Sequence, residues 1–497
     1  MLSGLVLDVA IATTYGAGRS TDAFFVSARI PLGLVAIVLV GANQALVPAI
    51  STWLVRKGRE QTWRLTSLLL VATLAISGGL AVVAAALAWP LMRLTAPGLS
   101  ADSVDLAAQL SRIMFIVVPL VALAEVLRAL LNALGSFLAP AAMHVVMNGL
   151  ATGVIFWRGD SDVHVIATAY ALGALAQLLF MLAVAYRKGF RFHASAHIRD
   201  PDIVAVGRLS VRPLIGAGLN PLARVGEQLF VSFLPAGSIS ILNYGSRLVH
   251  AIGGTVLFRS VMVVVLPRLT RVTAEGDERA VRATTKLGLR ILLVISVALT
   301  VLMAVLSVPA IRALFNRGSF SSADSKLLGV TLIVYSASII GSGIQRGMLA
   351  PFFAKLNTRI PLRNTIYGVI ANLALVPICM LPFGLHDPDA VIGVAAAYSI
   401  AQYVNVGHIW FHLRRDLGIR STGMAELVLP LGVAAVVSGG VLLLGYRLLD
   451  LGGPHQRWML LLLTGALGLA GLAVFAGVGS ALRLPDLRRL RSPAGEI

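Results

Sequence analysis

The chain has 497 residues, of which 57% are hydrophobic and only 13% are charged. Soluble domains carry about 25% charged residues, so this composition excludes a soluble protein with an ordinary polar surface. A net charge of +19 would favour nucleic acid as a partner of a soluble protein. Here the basic residues gather in short loops between apolar runs, which is typical of membrane proteins, and we expect no nucleic-acid partner.

Apolar runs long enough to cross a bilayer follow one another from end to end of the chain. About 20 apolar residues suffice for one helical span, and the sequence predicts fourteen. Their approximate bounds are 2–15, 23–55, 65–94, 105–134, 137–157, 163–186, 211–234, 238–267, 284–315, 327–353, 361–383, 389–412, 424–447 and 457–478. The expected fold class is therefore an all-α polytopic membrane protein.

The loops between these spans alternate in charge. Basic residues cluster at 56–64, 187–191, 268–286, 355–363 and 414–420, and in the tail at 488–491. The remaining loops are short and acidic or neutral, as at 102–105, 160–162 and 387–389. Because positive loops stay in the cytoplasm, we expect the basic set and both termini to be cytoplasmic.

A weak internal repeat divides the chain into two similar halves. The pairs separated by 219 residues are Gly18 with Gly237, Pro48 with Pro267, Pro90 with Pro309, and Arg93 with Arg312. The repeat predicts an N-lobe of six helices at 1–186, a cytoplasmic linker at 187–210 and a C-lobe of six helices at 211–413. Two extra transmembrane helices and a basic cytoplasmic tail follow at 414–497. Parallel repeats of this kind occur in transporters with two moving halves.

Short stretches along nearly the whole chain resemble the MurJ/MviN family of lipid II flippases. They include GAGRSTDAFFVSARIP (Gly16 to Pro31), QALVPAI (Gln44 to Ile50), LNYGSRL (Leu242 to Leu248), ALFNRGSF (Ala313 to Phe320) and LAPFFAKLNTRIP (Leu349 to Pro361). The resemblance implies the multidrug/oligosaccharidyl-lipid/polysaccharide exporter fold, with two lobes around a central cavity and two further helices for a lipid tail. It also implies a location in the bacterial inner membrane.

The activity that the resemblance implies is transport rather than enzymatic catalysis. A flippase of this family carries an undecaprenyl-pyrophosphate-linked glycan precursor from the cytoplasmic to the periplasmic leaflet by alternating access. The first two helices depart from the family pattern: Leu7 replaces an arginine before Asp8, and Val35 with Ala36 replaces an arginine pair. These departures leave open an exopolysaccharide or O-antigen lipid-linked repeat as the cargo.

Many charged residues fall inside the predicted spans, and most of them are arginines. They are Arg29, Arg112, Glu125, Arg128, Arg212, Arg224, Glu227, Arg247, Arg259, Arg290 and Arg346. A charged side chain at the bilayer centre costs about 2.5–3.5 kcal/mol, so such residues face protein or water. Arginine binds phosphate oxygens through a fixed fork of donors, and the surplus favours an anionic cargo such as a pyrophosphate. A cation-coupled multidrug exporter would instead need carboxylates.

The candidate substrate-binding residues are Arg247, Arg29, Arg224, Arg346, Asn243 and Tyr244, and the candidate gate or ion-coupling residues are Asp22 and Glu227. Each has a structural alternative. Arg224 and Glu227 are three residues apart on one helix face and can neutralise each other. Asp22 follows Ser20 and Thr21 and can cap a helix. The Arg29 side chain can extend to the membrane–water interface. Arg346 lies between Gly343 and Gly347, which favour close packing of helices.

No motif for nucleotide hydrolysis, metal binding or nucleophilic catalysis is evident, so we expect no metal and no cofactor. The membrane potential or a coupled monovalent ion then remains to drive transport, since one charge crossing 100 mV gains about 2.3 kcal/mol. The expected partners are the lipid-linked glycan, membrane lipids, and enzymes of cell-wall or polysaccharide synthesis. A membrane scaffold for those enzymes is the alternative without transport.

Overall fold

A computed structural model describes residues 2–41, 45–159, 162–193, 200–251, 257–418, 424–453 and 456–482. Within these ranges the chain forms helices and no strand, which confirms the predicted fold class. The helices are α1 (Leu2–Tyr15), α2 (Arg19–Gly41), α3 (Val47–Ala86), α4 (Ala88–Thr95), α5 (Ala101–Ala133), α6 (Leu138–Arg158), α7 (His164–Arg187), α8 (Pro201–Val231), α9 (Ser238–Val249), α10 (Leu257–Ala274), α11 (Glu278–Phe315), α12 (Ser322–Ala354), α13 (Arg359–Met380), α14 (Ala390–Asp416), α15 (Ala425–Leu448) and α16 (Arg457–Ala481). The predicted basic tail at 488–491 lies outside the described residues.

Eleven of the described helices are long and apolar enough to cross a membrane, and the apolar segment Ser3–Tyr15 in α1 is shorter. The other predicted spans correspond to α8 and to the consecutive helices α9 and α10. The protein is therefore an all-α, multi-pass membrane protein.

Several helix boundaries differ from the sequence prediction, and two of these differences have a visible local cause. The basic stretch at 56–64 is part of α3, which bends at Gly58, where φ is +74° and ψ is 178°. Helix α8 begins inside the predicted linker, because Asp200 accepts a hydrogen bond from the Asp202 N–H and Pro201 occupies the first turn, as proline does at helix starts. The predicted span at 238–267 is divided between α9 and α10.

The chain forms two compact units, Met1–Ser240 and Ile241–Ile497. In the first unit, α5 packs against α2, α3 and α7, α6 packs against α7, and α2 also packs against α8. One apolar cluster of this unit joins α3, α5 and α7 through buried residues such as Leu68, Leu130 and Met181. The lobe bounds at 186 and 211, which follow from the repeat, stay predictions.

In the second unit, the long helix α11 is the common support. It packs against α10, α12, α15 and α16, while α14 packs against α12 and α13. The two C-terminal helices attach to α11 through two apolar clusters, one around Leu293, Leu431 and Phe475 and one around Leu306 and Leu467. Burial of these side chains is the main force that holds α15 and α16 to the unit.

Candidate functional site

Asp22 lies in the first turn of α2 and is only 3% exposed. Its Oδ2 accepts a hydrogen bond from the Gly237 N–H at 2.6 Å, and its Oδ1 accepts from the N–H and the hydroxyl of Ser240 at 2.8 and 2.6 Å. The local bonds at the start of α2 are made by Thr21 instead, whose Oγ1 accepts from the Gly18 N–H. Asp22 therefore joins two segments that are more than 200 residues apart in sequence.

The backbone N–H that Gly237 donates to Asp22 requires a glycine at this position. Gly237 has a φ of +96°, and a Cβ on this residue would lie 2.9 Å from the Ala17 carbonyl oxygen. Gly237 and Ser240 bracket the first residues of α9, so the carboxylate satisfies N–H groups that a helix start leaves without intrahelical partners. A negative charge is also favourable at the positive end of a helix dipole.

Arg29 connects α2 to α8 and α4 through one glutamine. The Arg29 Nε donates to Gln228 Oε1 at 2.9 Å, and Gln228 Nε2 donates to the Thr95 carbonyl at 3.4 Å. Gln228 is 1% exposed, whereas Arg29 is half-buried. Gln228 thus positions the Arg29 side chain, which is neither fully buried nor fully exposed.

The other charged candidates of the first unit lie on α8. Arg224 and Glu227 are both half-buried and lie on the same helix as Gln228. Arg224 and Gln228 are four residues apart and share a helix face. Arg224 therefore lies on the same side of α8 as Gln228, the residue that binds Arg29.

The two departures from the family pattern are apolar in structure as well. Leu7 on α1 is 1% exposed and belongs to the core. Val35 on α2 packs against a small cluster that includes Phe115 and Val118 of α5. In the described part of the first unit, Arg29 and Arg224 are the predicted anion contacts that the sequence retains.

In the second unit, Asn243 and Tyr244 lie on α9 and are buried. The Tyr244 ring packs against Phe315 and Phe320, with centroids at 5.8 and 6.0 Å. Edge and tilted contacts of this kind stabilise apolar cores. The ring contacts of Tyr244 are therefore those of a packing residue, and its substrate role stays a prediction.

Arg247 is half-buried in the last turn of α9. One turn away, His250 Nδ1 lies 2.5 Å from the Ser246 carbonyl oxygen, and His250 Nε2 lies 3.2 Å from the Tyr398 hydroxyl of α14. The Tyr398 ring in turn contacts Tyr335 of α12 at 5.6 Å. A polar and aromatic group drawn from three helices thus lies beside the Arg247 turn.

Arg346 is exposed on α12. Its glycine neighbours pack closely on α11: a Cβ on Gly343 would lie 2.1 Å from Ser296 Oγ, and one on Gly347 would lie 2.7 Å from Leu289 Cδ2. The close packing belongs to the glycines, and the arginine lies on an accessible part of the same helix. Both the packing and the binding interpretation of this segment are compatible with that arrangement.

Two other intramembrane arginines form ion pairs. Arg128 Nε lies 2.5 Å from the buried Glu125 carboxylate, three residues earlier on α5, as the sequence spacing favours. Arg290 of α11 pairs with Glu426 of α15 at 2.7 Å. The side chains of Arg212 and Arg259 lie outside the described part of the chain.

The sequence did not single out Gln228 or Ser240, which bind Arg29 and Asp22. A polar side chain next to Glu227 and four residues after Arg224, directly before an apolar stretch, was the available signal for Gln228. For Ser240, the signal was the repeat, because it pairs Gly18 with Gly237 and both glycines directly precede a helix.

Comparison with known proteins agrees with this architecture. The sequence profile of the family described as lipid II flippase MurJ matches residues 11–462. A probable lipid II flippase MurJ of Vibrio cholerae is 27% identical, over 98% of this chain and 94% of its own length. The lipid II flippase MurJ of Burkholderia cenocepacia is 26% identical, over 95% of this chain and 86% of its own length.

Solved structures share the fold. A lipid II flippase MurJ in an inward closed conformation superposes with a TM-score of 0.78 at 21% identity, covering 98% of this chain and 97% of the other. An inward-facing multidrug resistance transporter of the MATE family gives 0.67 at 16% identity, over 84% of this chain and 96% of its own. Since the profile covers all but the two ends of the sequence, the chain belongs to the lipid II flippase MurJ family.

Proposed function

We propose that this protein is a flippase that moves lipid II, an undecaprenyl-pyrophosphate-linked glycan precursor, from the cytoplasmic to the periplasmic leaflet of the bacterial inner membrane. The observation that carries the proposal is the family match over residues 11–462, with relatives named as lipid II flippases aligned over nearly their full length. The protein acts as a transporter, and its substrate and the surrounding lipids are its principal partners.

The charge of the membrane-spanning helices supports an anionic cargo. Arg29 and Arg224 in the first unit, and Arg247 and Arg346 in the second, are half-buried or exposed. Guanidinium groups stay charged in apolar surroundings and bind phosphate oxygens bidentately. In our proposal these arginines bind the pyrophosphate, and Arg29 and Arg224 act in place of the arginines that Leu7, Val35 and Ala36 replace.

Asp22 is proposed as a gate residue. Its carboxylate makes three short hydrogen bonds to Gly237 and Ser240, which stabilise the conformation in which these segments meet. Alternating access requires such bonds to break when the opposite side opens, and a few bonds of this strength suffice to bias two states. Glu227 is proposed to assist, as a gate or ion-coupling residue.

We also propose where the polyprenyl tail of the substrate lies, what drives transport and how the protein is oriented in the membrane. Helices α15 and α16 carry exposed leucines and valines, among them Leu429, Val436 and Leu469, and this surface suits a polyprenyl tail. The membrane potential or a coupled monovalent ion drives transport. Both termini lie in the cytoplasm, because the basic loops fall on that side.

The test is rescue of growth in cells depleted of their own lipid II flippase. We expect the protein to restore growth, and Arg247→Ala to fail although it inserts at the same level. Failure of the unchanged protein despite normal insertion would overturn lipid II as the cargo. A scaffold that only recruits enzymes would tolerate Arg247→Ala, so this variant also separates transport from recruitment.

A further inference from the structure

Three arginines come together where α11 ends and α16 begins. Arg312 lies in the last turn of α11, Arg317 follows that helix, and Arg457 is the first residue of α16. The Arg457 Nε donates to the Ala313 carbonyl at 3.2 Å, which fixes the start of α16 against the end of α11.

Arg312 has a structural role in this group. Its guanidinium donates to the carbonyl oxygens of Gly452 at 2.7 Å, Gly453 at 3.3 Å and Leu451 at 3.4 Å. These residues form the turn between α15 and α16, and Leu451 is fully buried. Arg312 therefore holds the turn and needs no further ligand.

Arg317 and Arg457 are in a different situation. The Arg317 Nε is buried without a hydrogen-bond partner in the described part of the chain. Burial lowers the pKa of the Arg317 guanidinium, and the positive charge of Arg457 lowers it further. Neither arginine belongs to an ion pair among the described residues, and the carboxylate of Asp450 lies against Gly453 within the turn.

The start of α16 adds to the unfavourable positive charge. Gln456 occupies the N-cap position without a side-chain hydrogen bond to the helix, so the first N–H groups of α16 lack that cap. Arg457 places a cation at the positive end of the helix dipole, where an anion is preferred. An anion at this point would satisfy Arg317, relieve its repulsion with Arg457 and cap the helix.

The surroundings indicate what kind of molecule carries that anion. Arg457 lies over the ring of Trp458 at 5.0 Å, and Trp458 is 70% exposed. Tryptophan is enriched at the level of lipid headgroups. One turn further along α16, Leu462 is 75% exposed, which provides an apolar surface directly beside the cationic group. This combination suits an amphiphile with an anionic head and hydrocarbon chains.

We propose that Arg317 and Arg457 bind the phosphate group of an anionic membrane lipid, with its chains along Trp458 and Leu462 of α16. The loop charges predict that this end of α11 and α16 faces the periplasm, so the site takes lipid from the outer leaflet. Arginine is disfavoured on that side of the membrane, and a bound lipid phosphate gives these two residues a physical reason to be there. Arg317 and Arg457 are distinct from the arginines proposed to bind the pyrophosphate of the cargo.

The experiment uses the full chain in phosphatidylcholine nanodiscs that contain increasing fractions of brominated phosphatidylglycerol. Bromine quenches nearby tryptophan fluorescence, and the contribution of Trp458 is the difference between the protein and Trp458→Phe. We expect half-quenching at a lower fraction of brominated phosphatidylglycerol than of brominated phosphatidylcholine. Arg317→Gln should raise that fraction about tenfold, the effect of losing one charge-assisted hydrogen bond.

Arg93→Gln is the matched control, since Arg93 binds the Leu99 carbonyl at the corresponding end of α4, and it should leave the Trp458 signal unchanged. Arg317→Lys keeps the charge and should shift it less than Arg317→Gln. Equal quenching by both brominated lipids, or equal behaviour of Arg317→Gln and Arg93→Gln, would overturn the proposal.

Competition with unlabelled lipids shows which lipid supplies the bound phosphate. This experiment uses the unchanged protein and does not depend on any variant. Phosphatidylglycerol or undecaprenyl phosphate should displace the brominated lipid, and the tighter competitor is the natural occupant. Diacylglycerol, which has the chains but no phosphate, should not compete. Equal displacement by diacylglycerol would show that only the apolar surface binds and would contradict the proposal.

Discussion

Ser240 donates two hydrogen bonds to one oxygen of Asp22, from its N–H at 2.8 Å and from its hydroxyl at 2.6 Å. Both partners are buried. Hydrogen bonds to a charged group contribute about 1.5–3 kcal/mol, and removal of the carboxylate leaves buried donors unsatisfied. The relationship explains how an acidic residue is retained at the start of a membrane-spanning helix.

Replacing Asp22 should therefore destabilise the conformation described here. We expect Asp22→Ala to lower the free energy of unfolding by about 3 kcal/mol or more and Ser240→Ala by about 1.5 kcal/mol, because Ser240→Ala removes one of the three bonds and leaves the two N–H bonds in place. Thermal unfolding in detergent measures both. Ser238→Ala is the control, since the Ser238 hydroxyl is buried without a hydrogen-bond partner. A loss in Ser238→Ala equal to that in Ser240→Ala would contradict the role of the Asp22 bonds.

Gly237→Ala tests the backbone that presents the donor to Asp22. A side chain at a φ of +96° and 2.9 Å from the Ala17 carbonyl oxygen should cost about 1–3 kcal/mol of stability. Gly207→Ala on α8 meets no atom within 4 Å and should be neutral or slightly stabilising, since alanine favours helix. Thermal unfolding of the two variants compares them directly, and equal midpoints would show that Gly237 has no special role.

Arg29 and Gln228 should show energetic coupling. A double-mutant cycle with Arg29→Ala and Gln228→Ala isolates their interaction, which we expect to be about 1 kcal/mol because the acceptor is buried. The exposed pair Lys57 and Asp202 is the comparison and should couple more weakly, since water screens such pairs. Additive effects of Arg29→Ala and Gln228→Ala would remove the basis for Gln228 as the residue that positions Arg29.

The orientation can be tested through the single cysteine. With Cys379→Ala as background, cysteine introduced at the exposed Leu385 should react with a membrane-impermeant maleimide in intact spheroplasts. Cysteine introduced at Lys355, in the loop between α12 and α13, should react only after lysis, because that loop is basic and expected inside. The reverse pattern would place both termini outside.

The sequence predicted the helical fold because its apolar runs have the length of a bilayer crossing. It could not predict that residues 56–64 belong to a helix. The chain changes direction there through a bend at one positive-φ glycine, Gly58, and not through a loop. Local turn chemistry is weaker evidence than span length. The same limit explains why α8 begins ten residues before the predicted span.

The candidate site was only partly predictable, because its bonds join distant segments. The sequence alone offered Arg29 and Asp22 as candidates. Their partners Gln228 and Ser240 lie about 200 residues away along the chain, and no pattern in a single sequence reveals which distant residues pair. At Asp22, three adjacent residues were each suitable helix caps. The structure assigns the local bond to Thr21 and the distant one to Asp22.

The most direct test of the proposed function measures lipid II in the outer leaflet. Cells depleted of their own flippase and producing this protein are treated with an external enzyme that cleaves the lipid II headgroup, and the cleaved fraction is quantified. We predict that the protein restores cleavage and that Arg247→Ala, inserted at the same level, does not. Lipid II that stays protected in cells producing the unchanged, inserted protein would contradict the account.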